Sequence, residues 1–153
     1  MAKRYWLMKS EPSTFSIDDL ARVKSTGWEG VRNYTARNFL RDDVKPGDEV
    51  LFYHSSADPA GVAGIARVAR GAYPDPTQFD KKSDYHDPGS TKDAPRWVAV
   101  EVEFVRKLPR VVTLAELKAS PALAKMAVIQ KGSRHSVQPV TPAEFAAVLA
   151  MAK

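Results

Sequence analysis

The sequence contains no cysteine among its 153 residues. This absence excludes disulfide bonds, thiolate zinc sites and cysteine nucleophiles, and it agrees with a reduced cytoplasm as the location of the chain. No apolar run approaches the roughly 18 residues that a membrane-spanning helix needs. The opening residues, MAKR, lead into no apolar signal-peptide segment. We therefore expect a cytoplasmic chain that has no membrane partner.

The length is that of one ordinary domain, for which roughly 100–200 residues is typical, so we predict a single domain over residues 1–153. Hydrophobic residues make up 44% of the chain and charged residues 27%, which excludes a disordered or acidic solvating protein. The formal charge is +5, and the eight basic and four acidic residues after position 100 supply most of it. A basic balance favours a polyanionic partner such as nucleic acid.

Short periodic segments separated by turns predict an α+β domain. Apolar runs and alternation predict strands over 5–8, 49–54 and 97–106. Three helix starts carry a capping box, in which a hydroxyl and a carboxylate three residues apart satisfy backbone N–H groups. These boxes are Ser16 with Asp19, Thr113 with Glu116, and Thr141 with Glu144. A small, partly open β-barrel flanked by short helices fits this order of elements.

Other segments lack a clear period. Residues 28–34 are expected to form a loop, followed by a short helix over 36–41 that Thr35 caps, and 121–127 one or two more helical turns. Gly64 lies inside a strand-like run over 61–69, which predicts a bulge or a close approach of backbone. Residues 71–96 form an irregular insertion with four prolines. Irregular segments of this length are usually functional or disordered.

The sequence carries no recognisable catalytic motif. The three histidines, His54, His86 and His135, lack metal-ligand spacing. Neither a GxSxG elbow nor a glycine-rich phosphate loop occurs. We therefore expect no catalytic residue, no metal and no cofactor.

Aromatic residues beside cations point to nucleic acid. Trp28 and Tyr34 flank Arg32 in the segment predicted as a loop, where packing does not require a tryptophan. An aromatic ring that stacks on a base contributes roughly 1–3 kcal/mol. The amides of Asn33 and Gln138 both donate and accept hydrogen bonds, as reading a base edge requires. Trp28 is therefore the predicted wall of a base pocket.

The longest motifs of this chain resemble those of the EVE domain family, in the same order along nearly the whole sequence. They are YWLMKSEP at 5–12, GVRNY at 30–34 with ARN at 36–38, GD at 47–48 with FYHS at 52–55, YPD at 73–75, QFD at 78–80, PRW at 95–97, and SR at 133–134 with SVQPV at 136–140.

This resemblance implies a PUA-like fold, a small β-pseudobarrel with peripheral short helices that is related to YTH domains. It also implies a reader of nucleic acid that accepts a flipped, modified base in an aromatic-lined pocket, with a C5-modified cytosine in DNA as the expected base. The implied partner is nucleic acid that contains modified bases, and the chain is expected to act as a monomer.

The resemblance and the residue patterns together give a set of expected site residues. The expected ligand-binding residues are Lys9, Ser10, Trp28, Arg32, Asn33, Tyr34, Tyr53, His54, Trp97 and Gln138. The expected phosphate-binding residues are Arg96, Lys131 and Arg134.

Three other interpretations stay open at this point. The first is a PUA-like enzyme that hydrolyses a modified nucleoside or nucleic acid, with Lys9 or His54 as the first candidates. The second is a reader of modified RNA. The third is a protein-interaction module that uses the 71–96 insertion and binds no nucleic acid.

Overall fold

The structure is a computed structural model that describes residues 3–57, 59–130 and 136–152. One six-stranded mixed sheet organises these residues. Its strands are β1 (Tyr5–Ser10), β2 (Ser25–Trp28), β3 (Glu49–His54), β4 (Gly61–Pro74), β5 (Val98–Thr113) and β6 (Val137–Val140). The α-helices are α1 (Ile17–Val23), α2 (Tyr34–Asn38), α3 (Leu114–Ala119) and α4 (Pro142–Met151).

The strand order is β2-β5-β4-β3-β1-β6. β1 and β3 pair in parallel, and the other neighbouring strands pair antiparallel. Although β2 and β6 end the order, Trp28 of β2 and Val137 of β6 belong to one buried cluster. The sheet therefore curls toward closure, which confirms the predicted α+β class and the partly open barrel with peripheral helices.

Two hydrophobic clusters contain the buried side chains of the sheet. Because side chains alternate between the faces of a strand, Trp6 and Met8 of β1 lie in one cluster and Leu7 lies in the other. α4 covers the second cluster through Phe145, whose ring centroid lies 4.5 Å from that of Tyr5. β1 therefore packs on both of its faces, and its end carries Lys9 and Ser10.

The three predicted capping boxes are confirmed at the starts of α1, α3 and α4. Gly64 also behaves as predicted, because the pairing register between β3 and β4 shifts there and a Cβ on Gly64 would lie 2.9 Å from the carbonyl oxygen of Arg106. The capping boxes and the bulge depend on the residue types at these positions, so they can be predicted directly from the sequence.

Several predicted boundaries are wrong. Residues 25–28 form β2, which pairs with β5, so Trp28 ends a strand and does not lie in a loop. Asn33 caps α2 in place of Thr35, and a π-helical turn (Phe39–Asp43) follows it. β4 takes in 71–74 of the predicted insertion, and the helical turns expected over 121–127 are two short 3₁₀ segments, Pro121–Leu123 and Ala127–Ile129.

Candidate functional site

A cavity of about 630 Å³ opens beside the ends of β1 and β2. Ser136, immediately before β6, lines the same cavity, so the cavity lies where the two ends of the curled sheet approach each other. The volume is within the range of about 300–1,000 Å³ that small-molecule pockets occupy. The lining side chains include Lys9, Ser10, Glu11, Phe15, Thr26, Trp28, Glu29 and Tyr85.

Lys9 and Ser10 line the cavity from the end of β1. The Lys9 ammonium lies 6.0 Å from the ring centroid of Tyr53, its neighbour in register on β3. Partial burial lowers the pKa of Lys9 from its ordinary value. The Ser10 hydroxyl donates to the carbonyl oxygen of Phe15 at 2.6 Å, which leaves its oxygen as an acceptor toward the cavity.

Trp28 contributes to the cavity wall from the core. The side chain is only 8% exposed, and its ring packs edge-on against Phe52 at 5.6 Å between centroids. Trp28 therefore closes the inner side of the cavity and also stabilises the barrel.

Asp75 fixes the insertion against the cavity rim. Its side chain is fully buried and accepts hydrogen bonds from the backbone N–H of Gly30 at 2.8 Å, from Arg32 at 3.1 Å and from the backbone N–H and hydroxyl of Thr77. Burial opposes ionisation of this carboxyl, but the hydrogen bonds from Thr77, Gly30 and Arg32 outweigh it and lower the pKa of Asp75. Gly30 adopts a φ of 82°, a conformation that glycine tolerates without strain.

Arg32 binds the insertion at the mouth of the cavity. Its guanidinium donates to the backbone carbonyl of Tyr85 through Nε at 3.1 Å and Nη2 at 2.6 Å, besides its ion pair with Asp75. Tyr85 is 47% exposed and lines the cavity, and its ring lies against Gly30, where a Cβ would come within 2.8 Å. Arg32 therefore acts on the site by positioning Tyr85.

Trp97, Tyr34 and Arg96 lie outside the lining of this cavity. Trp97 is buried, stacks on Tyr34 at 4.9 Å between centroids and donates from its indole to Asp87 at 2.7 Å. Arg96 forms an ion pair with the same carboxylate at 3.1 Å. This cluster anchors the far end of the insertion.

The remaining predicted ligand residues also lie apart from the lining. The Asn33 side chain caps α2, and Tyr53 and Gln138 are buried at 4% and 2% exposure. His54 Nε2 accepts from the backbone N–H of Ile17 at 3.1 Å, which satisfies a free donor at the start of α1. Burial lowers the pKa of His54, in agreement with a neutral ring that accepts this bond.

Sequence reasoning missed Glu29 and Tyr85. Glu29 follows β2 directly and lines the cavity, where partial desolvation, and then the charge of Asp75, raise the pKa of its carboxyl although the residue remains accessible to solvent. Its position between Trp28 and the glycine of GVRNY was the available signal. Tyr85 was visible as a lone aromatic residue among charged and polar neighbours.

The predicted phosphate ligands Lys131 and Arg134 lie outside the described residues. Within the described ranges, no group of three or more His, Asp or Glu side chains is arranged to hold a metal ion. None of the described helices has the length and apolar character needed to cross a membrane.

Comparison with known proteins identifies the family. The EVE domain model matches residues 4–151, which is nearly the whole chain. The chain belongs to the EVE domain family. An EVE relative, thymocyte nuclear protein 1 of Homo sapiens, is 45% identical over an alignment that covers 96% of this chain and 73% of that protein.

Solved EVE structures share the whole fold. A crystal structure of a Pseudomonas putida protein is 52% identical, with a TM-score of 0.94 and coverage of 97% of this chain and 99% of that one. The structure of human THYN1 (thymocyte nuclear protein 1) in complex with DNA that contains 5-methylcytosine is 42% identical. Its TM-score is 0.92, and the match covers 99% of this chain and 98% of that one.

Proposed function

We propose that this EVE domain binds DNA that carries 5-methylcytosine and that its cavity beside β1 and β2 receives the modified base. The observation that carries the proposal is the match of the whole chain to human THYN1, which was crystallised with such DNA. That likeness extends over 99% of this chain, so it includes every element that lines the cavity.

The geometry of the cavity supports a base as its occupant. A nucleotide that leaves the duplex loses a few kcal/mol of stacking and pairing, which the pocket must restore. Tyr85 presents an exposed ring at the cavity mouth, and stacking on such a ring contributes roughly 1–3 kcal/mol. Lys9, Ser10 and Glu29 add donors and acceptors for the base edge.

The other expected site residues take indirect roles in this proposal. Arg32 positions Tyr85, and Arg96 ties the insertion to Asp87, so both guanidinium groups already have protein partners. Tyr34, Trp97, Asn33, Tyr53, His54 and Gln138 would support the surrounding elements. Phosphate contacts by Lys131 and Arg134 remain part of the proposal.

Hydrolysis of a modified nucleoside or nucleic acid is the second candidate function, and one observation favours it. Lys9, whose pKa is lowered by burial, and Glu29, whose pKa is raised by burial, line the same cavity. Shifts in these directions suit a general base and a general acid. Incubation with modified oligonucleotides, followed by mass spectrometry of the products, separates the two functions. If the unaltered chain changes the oligonucleotide and Glu29→Gln does not, the protein is an enzyme and the binding proposal is rejected.

A single domain over 1–153, a monomeric state and a cytoplasmic location are also proposals for this chain. The human relative is named as a nuclear protein. That name suggests the nucleus for the relative and supports nucleic acid as a partner for this chain.

The binding proposal is tested with duplexes that differ only in one cytosine methyl group, together with matching methylated and unmethylated RNA. We expect tighter binding of 5-methylcytosine DNA, and Tyr85→Ala should weaken that binding roughly 5- to 150-fold, which corresponds to the loss of one stacking contact. Calorimetry at one fixed salt concentration measures these affinities.

Val23→Ala provides the control, because Val23 is 41% exposed on α1 and lies outside the cavity lining. This variant should bind like the unaltered chain. Equal affinity for methylated and unmethylated DNA would reject the proposal, and a preference for methylated RNA would favour the RNA reader.

A further inference from the structure

Opposite charges line the proposed base cavity from its two strand ends. Lys9 lies near the end of β1, and Glu29 is the first residue after β2. Lys9 is a donor only, and an ionised Glu29 is an acceptor only. A ligand edge that offers both a donor and an acceptor would therefore complement this cavity.

The position of Glu29 is fixed on both sides. Trp28 before it is paired in the sheet, and the N–H of Gly30 after it donates to Asp75 at 2.8 Å. The Glu29 carboxylate packs beside Gly27, where a Cβ would lie 3.0 Å from its Oε2 atom. Gly27 therefore leaves space for this carboxylate at the cavity wall.

The Glu29 carboxylate is also available to a ligand. Within the described part of the chain, it forms no hydrogen bond and no ion pair, and the residue is exposed in the open cavity. The neighbouring carboxylate of Asp75, in contrast, has all its partners within the protein. Glu29 thus has no evident structural role that would explain a charge at this position.

The two C5-methylated pyrimidines of DNA differ at the group that a carboxylate reads. 5-Methylcytosine presents an exocyclic N4 amine, which is a donor, whereas thymine presents O4, which is an acceptor. A niche for the methyl group cannot separate these bases, since both carry it. A carboxylate accepts from the amine of cytosine and faces O4 of thymine without a proton to share.

We propose that Glu29 selects cytosine over thymine by accepting a hydrogen bond from the N4 amine, while Lys9 donates toward the acceptor atoms of the same edge. This inference rests on the proposed function, since it assumes that a base enters the cavity. It adds a specificity that methyl recognition cannot provide. One good contact of this kind is expected to change the preference between bases roughly 5- to 150-fold.

The test compares duplexes with 5-methylcytosine, thymine or cytosine opposite an abasic site, so that no base pair has to be broken for any of them. The readout is the ratio of the affinities for 5-methylcytosine and thymine. We expect a ratio of at least about 5 for the unaltered chain and a ratio near 1 for Glu29→Gln, whose amide both donates and accepts. Glu29→Ala should lower the ratio in the same way.

Glu103→Gln is the matched control, because it removes the same charge from a carboxylate that pairs with Arg67 outside the cavity. The affinity ratio of Glu103→Gln should equal that of the unaltered chain. Loss of a negative charge strengthens DNA binding in general, but it does so equally for both duplexes and therefore leaves the ratio unchanged. An unchanged ratio in Glu29→Gln, or a ratio near 1 in the unaltered chain, overturns the inference. Equal binding of 5-methylcytosine and cytosine by the unaltered chain instead rejects the proposed function.

Discussion

At the scale of single residues, Asp75 connects the cavity rim to the insertion. One oxygen of its buried carboxylate accepts from Thr77, and the other accepts from Gly30 and Arg32. Arg32 in turn holds the backbone of Tyr85. Loss of this one carboxylate would leave a guanidinium group and two backbone donors without their acceptor.

We therefore predict that Asp75→Asn lowers the free energy of unfolding by about 2–3 kcal/mol. Removal of one partner from a fully buried pair costs about 3–5 kcal/mol, and the 22% exposure of the Arg32 side chain reduces that figure. Urea denaturation measures the change. Asp42→Asn is the control, since Asp42 pairs with Arg41 at the exposed surface and its replacement should cost far less than that of Asp75. Equal losses in both variants would contradict this account.

The same pair gives stability a dependence on pH. The folded-state pKa of Asp75 is lowered, so its contribution is complete above the unfolded value of about 3.9 and is lost as the pH falls through the folded value. The difference in unfolding free energy between the unaltered chain and Asp75→Asn should therefore narrow in acid. A difference that stays constant from pH 7 to pH 2 would show that ionisation of Asp75 is not its source.

At the scale of elements, local chemistry was predictable and long-range pairing was not. The capping boxes at Ser16, Thr113 and Thr141 depend on residues three positions apart, so the sequence alone predicted α1, α3 and α4. β2 was missed because, among the described strands, it pairs with β5 alone, where Ser25 lies opposite Glu103. A strand of four residues is too short to show the periodicity that would predict it from the sequence.

In the candidate site, too, contiguous motifs were informative and long-range contacts were not predictable. Lys9 and Ser10 were expected from the YWLMKSEP motif that resembles the EVE family, and both line the cavity. Tyr85 is held at the cavity by hydrogen bonds from Arg32, which lies 53 residues away in sequence. Trp97, selected for its neighbouring arginine, is held instead by Asp87 inside the insertion. A contiguous motif therefore includes the strand ends that line the cavity, but it does not reveal the side of the cavity that the insertion forms.

Two glycines of β4 test how closely the barrel is packed around the bulge. A Cβ on Gly64 would lie 2.5 Å from Cδ1 of Ile17 and 2.9 Å from the backbone oxygen of Arg106. We expect Gly64→Ala to lower the free energy of unfolding by about 1–3 kcal/mol, as overpacking typically does. Gly71→Ala is the matched control in the same strand, since its nearest contact would be Pro46 at 3.6 Å. Thermal denaturation of both variants checks the difference, and similar melting temperatures would argue that α1 moves to accommodate the methyl group.

At the scale of the whole molecule, the formal charge of +5 is carried by a surface on which many basic side chains already have a protein partner. Within the described ranges, many arginines already pair with carboxylates. These pairs are Arg4–Asp43, Arg22–Asp19, Arg32–Asp75, Arg41–Asp42, Arg67–Glu103, Arg96–Asp87 and Arg110–Glu116. Charge therefore provides a modest and general attraction, while the cavity is left to distinguish one base from another.

Because charge attracts any DNA and the cavity distinguishes the bases, salt should affect the overall affinity but not the preference for the methylated base. Each phosphate contact contributes about −0.9 to the slope of log association constant against log salt concentration, so about five such contacts would give a slope of about −4.5. Methylated and unmethylated duplexes share the same phosphates, and we expect two parallel lines whose separation is the contribution of the cavity. Titrations from 50 to 200 mM salt, roughly the range over which phosphate contacts weaken strongly, measure both lines. Lines that converge as salt rises would show that the preference for the methylated base comes from charge, because the contacts of an uncharged methyl group and a stacked ring are not screened.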